Sequence, residues 1–197
     1  MGWLLTPPLH LHFFLFCGRG TQQAYSNEPL RPHTDTTYFS TPCGLQLFHL
    51  LLPATISGGH TLLVDGFACA NQLSRQSYQI LRDTKRTAHA AGTEGYLFRT
   101  ERGYGVFEEG VDGGLEGVRW NGEDRSGFAG EEDVEGTKRW YDAIREWEGL
   151  LRKPENEKWV ALEAGTVVGQ SFLFSFTRSS SLPPPERWNR CFVELLI

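Results

Sequence analysis

The sequence has no Cys-x-x-Cys pair. Its four cysteines, Cys17, Cys43, Cys69 and Cys191, are scattered over 197 residues, which excludes a ribbon-type zinc site built from paired thiolates. Irregular spacing in a chain of this length also speaks against a disulfide framework. Reduced thiols and an intracellular setting, cytoplasmic or mitochondrial, are therefore expected. A basic excess is missing too. Nineteen Lys and Arg stand against 24 Asp and Glu, a formal charge of −5. A general nucleic-acid binder presents a basic face, so nucleic acid is excluded as a partner. Nor is there an unbroken apolar run long enough to cross a membrane. The most apolar region, residues 1–17, is split by Pro7-Pro8 and has no Lys or Arg ahead of its apolar run. It reads as neither a spanning helix nor a secretory signal. Solenoid-period repeats are absent.

What is present suits one folded domain. The composition is 40% hydrophobic and 22% charged, and the length is enough for one core. The 22 glycines favour turns and loops over long helices. Three zones differ in texture. Residues 1–23 form an atypical apolar leader, expected to be disordered. Residues 24–168 read as the folded domain. Residues 169–197, with Ser179-Ser180-Ser181 and Pro183-Pro184-Pro185, form an atypical tail, also expected to be disordered.

Residues 44–52 predict a strand, with Leu45, Leu47 and His49 on one face and Gln46, Phe48 and Leu50 on the other. Apolar content on both faces suggests burial on both, with His49 a core histidine. Ser57-Gly58-Gly59 predicts a turn, and residues 60–64 the next strand. Residues 68–82 read as one short helix. Weaker strands are expected at 104–107 and 117–120. The clearest helix spans 131–152, where Trp140, Ile144, Trp147 and Leu151 form one apolar stripe and Pro154 provides the stop. Short strands outnumber helices. The expected fold is therefore mainly β with flanking helices, and not a doubly wound sheet.

The chemistry-bearing motif is His33-Thr34-Asp35. On an extended segment the side chains of residues i and i+2 share a face, so His33 and Asp35 could grip one metal ion. An imidazole and a carboxylate make two-thirds of the facial triad of non-haem iron(II) oxygenases. Taken alone, a His-x-Asp tripeptide is more often an idle surface pair than a metal site.

Its surroundings change that reading. Ala24-Tyr25-Ser26-Asn27-Glu28-Pro29-Leu30 leads into the motif. Pro42-Cys43-Gly44-Leu45-Gln46-Leu47-Phe48-His49 and Gly58-Gly59-His60-Thr61-Leu62-Leu63-Val64-Asp65-Gly66-Phe67 follow it. Further on come Val118-Arg119-Trp120-Asn121 with Asp124-Arg125, Arg139-Trp140-Tyr141, residues 151–159 and Leu162-Glu163-Ala164-Gly165. Over residues 24–168 this run resembles the trimethyllysine hydroxylase and γ-butyrobetaine hydroxylase family, within the taurine dioxygenase-like superfamily.

The resemblance implies a double-stranded β-helix, a jelly-roll-like sandwich. It implies iron(II) and 2-oxoglutarate as cofactors, with ascorbate as reductant. The reaction would be hydroxylation of the small molecule ε-N-trimethyllysine at its β-carbon, in carnitine biosynthesis, while 2-oxoglutarate is decarboxylated to succinate. By the same resemblance His33 and Asp35 are the metal ligands, and no catalytic residue beyond them is assigned. Thr61 would contact 2-oxoglutarate. Tyr25 and Asn121 would contact substrate, Tyr25 through its ring face, because a quaternary ammonium has no donor hydrogens. A homodimer is among the arrangements left open.

The pattern breaks after Gly165. Family members continue into Asp-Asn-Trp-Arg and then His-Gly-Arg, which bring the third iron ligand and the arginines for 2-oxoglutarate. This chain runs Val167-Val168-Gly169-Gln170-Ser171-Phe172-Leu173, and no histidine follows His89. Of the later histidines His49, His60 and His89, none is favoured as a substitute ligand. The expectation is an incomplete jelly roll, truncated at both ends by read-through of non-coding sequence, with impaired hydroxylation. The alternatives are a γ-butyrobetaine-type fragment and a non-catalytic interaction protein. Thr36-Thr37-Tyr38-Phe39 and residues 152–157 favour the trimethyllysine type over the first of these.

Overall fold

The computed structural model describes residues 12–17, 31–52, 60–91, 97–127, 133–170, 175–179 and 191–196. The expected turn at 57–59 and Tyr25 lie outside them. Strand β1 (His12–Cys17) opens the described chain, and after the His33 segment comes β2 (Gln46–Leu52). Strand β3 (Thr61–Asp65) runs directly into α1 (Gly66–Ala70), because the Asp65 carboxylate accepts from the Ala68 N–H at 2.9 Å and caps the first turn.

The single helix expected over 68–82 is instead two. Ser74 accepts from the Ser77 N–H at 3.2 Å and starts a second helix, α2 (Arg75–Asp83). A serine hydroxyl competes for backbone hydrogen bonds inside a helix and serves better as an N-cap. Two hairpins follow: β4 (His89–Ala91) with β5 (Leu97–Arg99), and β6 (Phe107–Glu109) with β7 (Leu115–Val118). Helix α3 (Val134–Leu151) begins at an Asp133 cap that accepts from the Gly136 N–H. Then come β8 (Glu157–Val160), β9 (Val167–Gln170), β10 (Ser175–Ser179) and β11 (Cys191–Leu196). β1 falls in the leader zone, and β10 and β11 fall in the tail zone.

One antiparallel sheet has the order β1-β11-β2-β9, and a second has the order β10-β3-β8. Along residues 45–51 the two faces differ in burial, and Leu47, Phe48 and His49 are half-buried. Gln46 and Leu50 are buried, whereas Leu45 and Leu51 are 37% and 36% exposed. Burial on both faces is thus not what the structure shows. His49 lies on the more open face and is half-buried, so it is not a core histidine.

The core is built from side chains of β3, α1, α2, β6, β7 and α3. The stripe read from the sequence, Trp140, Ile144, Trp147 and Leu151, is buried throughout. Trp147 meets the Phe107 ring edge-on at 5.1 Å, and Tyr78 stacks on the other side of Phe107 at 4.8 Å. Glu146 on the same helix accepts from the Ser74 N–H and from the hydroxyls of Ser74 and Ser77, joining α3 to the start of α2.

Candidate metal centre

The site segment is extended for local reasons. Pro32 disfavours helical backbone at Arg31, and alternation then sends Thr34 one way and its two neighbours the other. Thr34 is buried and engages the backbone of Trp120. Its N–H donates to the Trp120 carbonyl at 2.7 Å, and its hydroxyl accepts from the Trp120 N–H at 2.9 Å. His33 and Asp35 therefore share the opposite face. His33 Nε2 stands 3.3 Å from Asp35 Oδ1.

Each of the two side chains is fixed by a second contact. His33 Nδ1 lies 2.6 Å from the Arg31 carbonyl, so the Nδ1–H donates there and Nε2 is turned toward Asp35. Asp35 Oδ2 accepts from the Gln46 amide at 2.8 Å. Burial alone would hold the His33 imidazole down. The Asp35 carboxylate beside it and the Arg31 carbonyl outweigh this and raise its pKa to about 9. Burial works in the opposite sense on Asp35, pushing it up, yet the His33 charge and the Gln46 amide bring it net below the usual carboxylate range. Both shifts favour an ion pair between the imidazolium and the carboxylate.

The gap between the two side chains suits a divalent cation. Two donors about 2.1 Å from one ion and at right angles stand about 3 Å apart. Nε2 and Oδ1 match this, and both carry the ordering contacts that metal ligands need.

The chain turns sharply after Asp35. Thr36 has φ of +55°, the left-handed region, which is costly for a β-branched residue. Its carbonyl accepts from the Phe39 N–H at 2.9 Å, and its hydroxyl accepts from the Cys43 N–H at 3.2 Å. Arg119 holds the outgoing loop, donating to the carbonyls of Thr37, Phe39 and Ser40. It also pairs with Glu108 at 3.0 Å and lies 3.8 Å over the Tyr104 ring. Thr37 donates to Asp124 Oδ2 at 2.7 Å. Burial and the nearby Asp35 charge push the Asp124 carboxyl above its usual range, and the Thr37 hydroxyl partly offsets this.

Other sequence-implied residues are placed as follows. Thr61 begins β3, opposite Val160 and Ser179. Asn121 follows Trp120, and its side-chain oxygen accepts from the Glu123 N–H at 3.0 Å. Tyr25 is outside the described residues. Among the described residues, no group of three or more His, Cys, Asp and Glu could hold a metal ion. His60 is exposed, and His89 Nδ1 is engaged with Ser126 Oγ at 3.2 Å. Three supporting residues were not legible as such in the sequence: Gln46, Arg119 and Asp124. The one available signal was a polar residue at an inward position of an alternating strand, which Gln46 gives.

Residues 18–169 match the model of the taurine catabolism dioxygenase TauD, TfdA family. The chain belongs to this family. Among curated relatives, trimethyllysine dioxygenase of Neurospora crassa is 36% identical over 178 residues, covering 72% of this chain and 38% of that protein. Mitochondrial trimethyllysine dioxygenase of Homo sapiens is 35% identical over 152 residues, covering 74% and 35%. Gamma-butyrobetaine dioxygenase of Homo sapiens is 26% identical over 148 residues, covering 74% and 38%. The chain thus spans little more than a third of the length of these relatives.

Solved structures share the fold. Asparagine oxygenase in complex with Fe(II), 3-hydroxyasparagine and succinate superposes with a TM-score of 0.68 at 12% identity, covering 88% of this chain and 51% of that one. A taurine dioxygenase from Burkholderia xenovorans gives 0.65 at 13%, covering 94% and 63%. Among the described residues no helix is long and apolar enough to cross a membrane.

Proposed function

We propose that this chain is the metal-gripping part of an iron(II)- and 2-oxoglutarate-dependent dioxygenase of the trimethyllysine type. The observation that carries this reading is the His33 Nε2 to Asp35 Oδ1 separation of 3.3 Å, with the second nitrogen and the second oxygen both engaged elsewhere. The identity of 35% to human trimethyllysine dioxygenase, against 26% to gamma-butyrobetaine dioxygenase, favours trimethyllysine over the shorter betaine. Residues 24–168 would be a partial double-stranded β-helix domain that contributes β2, β3, β8 and the start of β9 to the two antiparallel sheets, while β1, β10 and β11 lie outside those bounds.

His33 and Asp35 would hold the iron. When bound, iron supplies the redox chemistry that couples loss of carbon dioxide from 2-oxoglutarate to hydroxylation of a C–H bond. Thr61 would contact 2-oxoglutarate. Tyr25 and Asn121 would contact trimethyllysine, Tyr25 through its ring face. With no histidine after His89, this chain offers two ligands where the family uses three, and we infer weak metal retention and little turnover by the 197-residue chain alone.

The test has two arms. Titration of the purified chain with Mn²⁺ should show binding that His33→Ala and Asp35→Ala each weaken at least about tenfold, as loss of a ligand demands. Unchanged binding in both variants would overturn the assignment. Succinate formation from 2-oxoglutarate with trimethyllysine or γ-butyrobetaine should be slow with either. Rapid turnover with trimethyllysine would remove the impairment and keep the substrate reading.

A further inference from the structure

We propose that Gln46 is a positioning residue that makes the two oxygens of Asp35 unequal and keeps that carboxylate a one-oxygen ligand. The inference rests on the reading above that His33 and Asp35 hold a divalent cation. Gln46 is 0% exposed. A buried amide is costly unless its polar atoms are bonded, and this one donates to Asp35 Oδ2 at 2.8 Å. The other oxygen, Oδ1, is the one facing His33 Nε2.

A free carboxylate can swing and offer both oxygens to a cation. Two oxygens would fill two places in the coordination shell, one of which a facial site leaves open for other molecules. The Gln46 hydrogen bond opposes that swing.

The placement supports this role. Asp35 lies on a segment outside the named strands, just before the strained turn at Thr36. Gln46 begins β2, where its backbone is in register with Leu196 on one side and Gln170 on the other. The amide therefore carries the order of a paired strand to a carboxylate eleven residues earlier in the chain. The residue type fits as well. A lysine or arginine here would donate equally well but would cancel the negative charge that attracts the cation. A glutamate would repel Asp35, and a leucine would leave Oδ2 without its donor. Glutamine is neutral, long enough to reach and able to donate.

The experiment compares the full chain with Gln46→Leu, Gln46→Glu and, as a reference, His33→Ala. Mn²⁺ affinity is read from the electron paramagnetic resonance signal of free Mn²⁺. Infrared difference spectra on Mn²⁺ loading report whether the carboxylate binds through one oxygen or two. Melting temperature in chelator reports the fold without metal. We expect Gln46→Leu, which leaves the local charge unchanged, to bind Mn²⁺ about 10–100-fold more weakly, the range seen when a group that orients a ligand is lost, and we read Gln46→Glu, whose added charge itself attracts the cation, from its carboxylate bands. The carboxylate bands should shift toward two-oxygen binding in both. If Gln46→Leu fails to fold, the bands of Gln46→Glu decide. A folded Gln46→Leu with wild-type affinity and wild-type bands, or in its place a Gln46→Glu with wild-type bands, overturns the inference, and loss of binding in His33→Ala alongside it leaves the metal assignment standing. A wild-type chain that takes up no Mn²⁺ overturns the metal assignment, and the inference with it.

Discussion

Thr34 and Trp120, 86 residues apart, are joined by a reciprocal pair of hydrogen bonds: the Thr34 N–H donates to the Trp120 carbonyl at 2.7 Å and the Trp120 N–H donates to the Thr34 hydroxyl at 2.9 Å. The middle residue of the metal motif is thus the anchor for the outer two. Thr34→Val keeps the shape and removes the hydroxyl, leaving a buried N–H without its acceptor. A loss of about 1–3 kcal/mol is expected in urea unfolding. A change within about 0.3 kcal/mol would show that Trp120 is satisfied in another way.

The His33–Asp35 pair sets a pH dependence for the metal-free chain. His33 is raised to about 9, so its contribution to stability is complete below 6.5 and is lost as pH rises through 9. Asp35 is lowered, so its contribution is present above the ordinary carboxylate range and is lost as pH falls below it. In chelator, the difference in melting temperature between wild type and His33→Gln should be largest between about pH 5 and 6.5 and should shrink toward pH 9 to 10. A difference that grows across that upper range would contradict the ion pair.

Glu146 ties two helices through three accepted hydrogen bonds. Two of the donors belong to Ser74, the residue that caps α2. Glu146→Ala should cost about 1–2 kcal/mol, with α2 amides exchanging with solvent sooner than those of α3. Equal acceleration in both helices would mean that the contact is not local to the cap.

Trp147 is fully buried against Phe107. Trp147→Ala should cost about 3–5 kcal/mol and bring a domain of this size close to unfolding. Trp147→Phe should cost distinctly less, because most of the buried area stays. Similar losses for the two would point to the indole N–H rather than to the packed volume.

The helix stripe of α3 was legible because its apolar period is long and uninterrupted. Trp140, Ile144, Trp147 and Leu151 leave one face to bury, and burial follows. The shared face of His33 and Asp35 was legible because period-two alternation needs only three residues, whereas the reading of the pair as metal ligands came from the resemblance of its surroundings. Other features depend on partners distant in sequence. The break between α1 and α2 hangs on one serine reaching Ser77 and Glu146. The more open face of β2 was hidden because apolar residues occupy both sides, and only the covering by neighbouring elements decides which goes inward. Arg119 and Gln46 stood inside the blocks that carried the resemblance, but their contacts were not legible. Their roles lie in the carbonyls and the carboxylate they reach, and nothing in local periodicity encodes those.

Thr36 has a further consequence. A directed-evolution campaign that selected only for heat resistance would tend to replace it, since glycine, asparagine or aspartate accepts a φ of +55° at less cost. Glycine there would also delete the hydroxyl that accepts from the Cys43 N–H and so loosen the approach to β2, where Gln46 sits. Selection for heat resistance and selection for metal uptake would diverge at this single codon, so stabilised libraries should be sorted at position 36 before they are screened for activity.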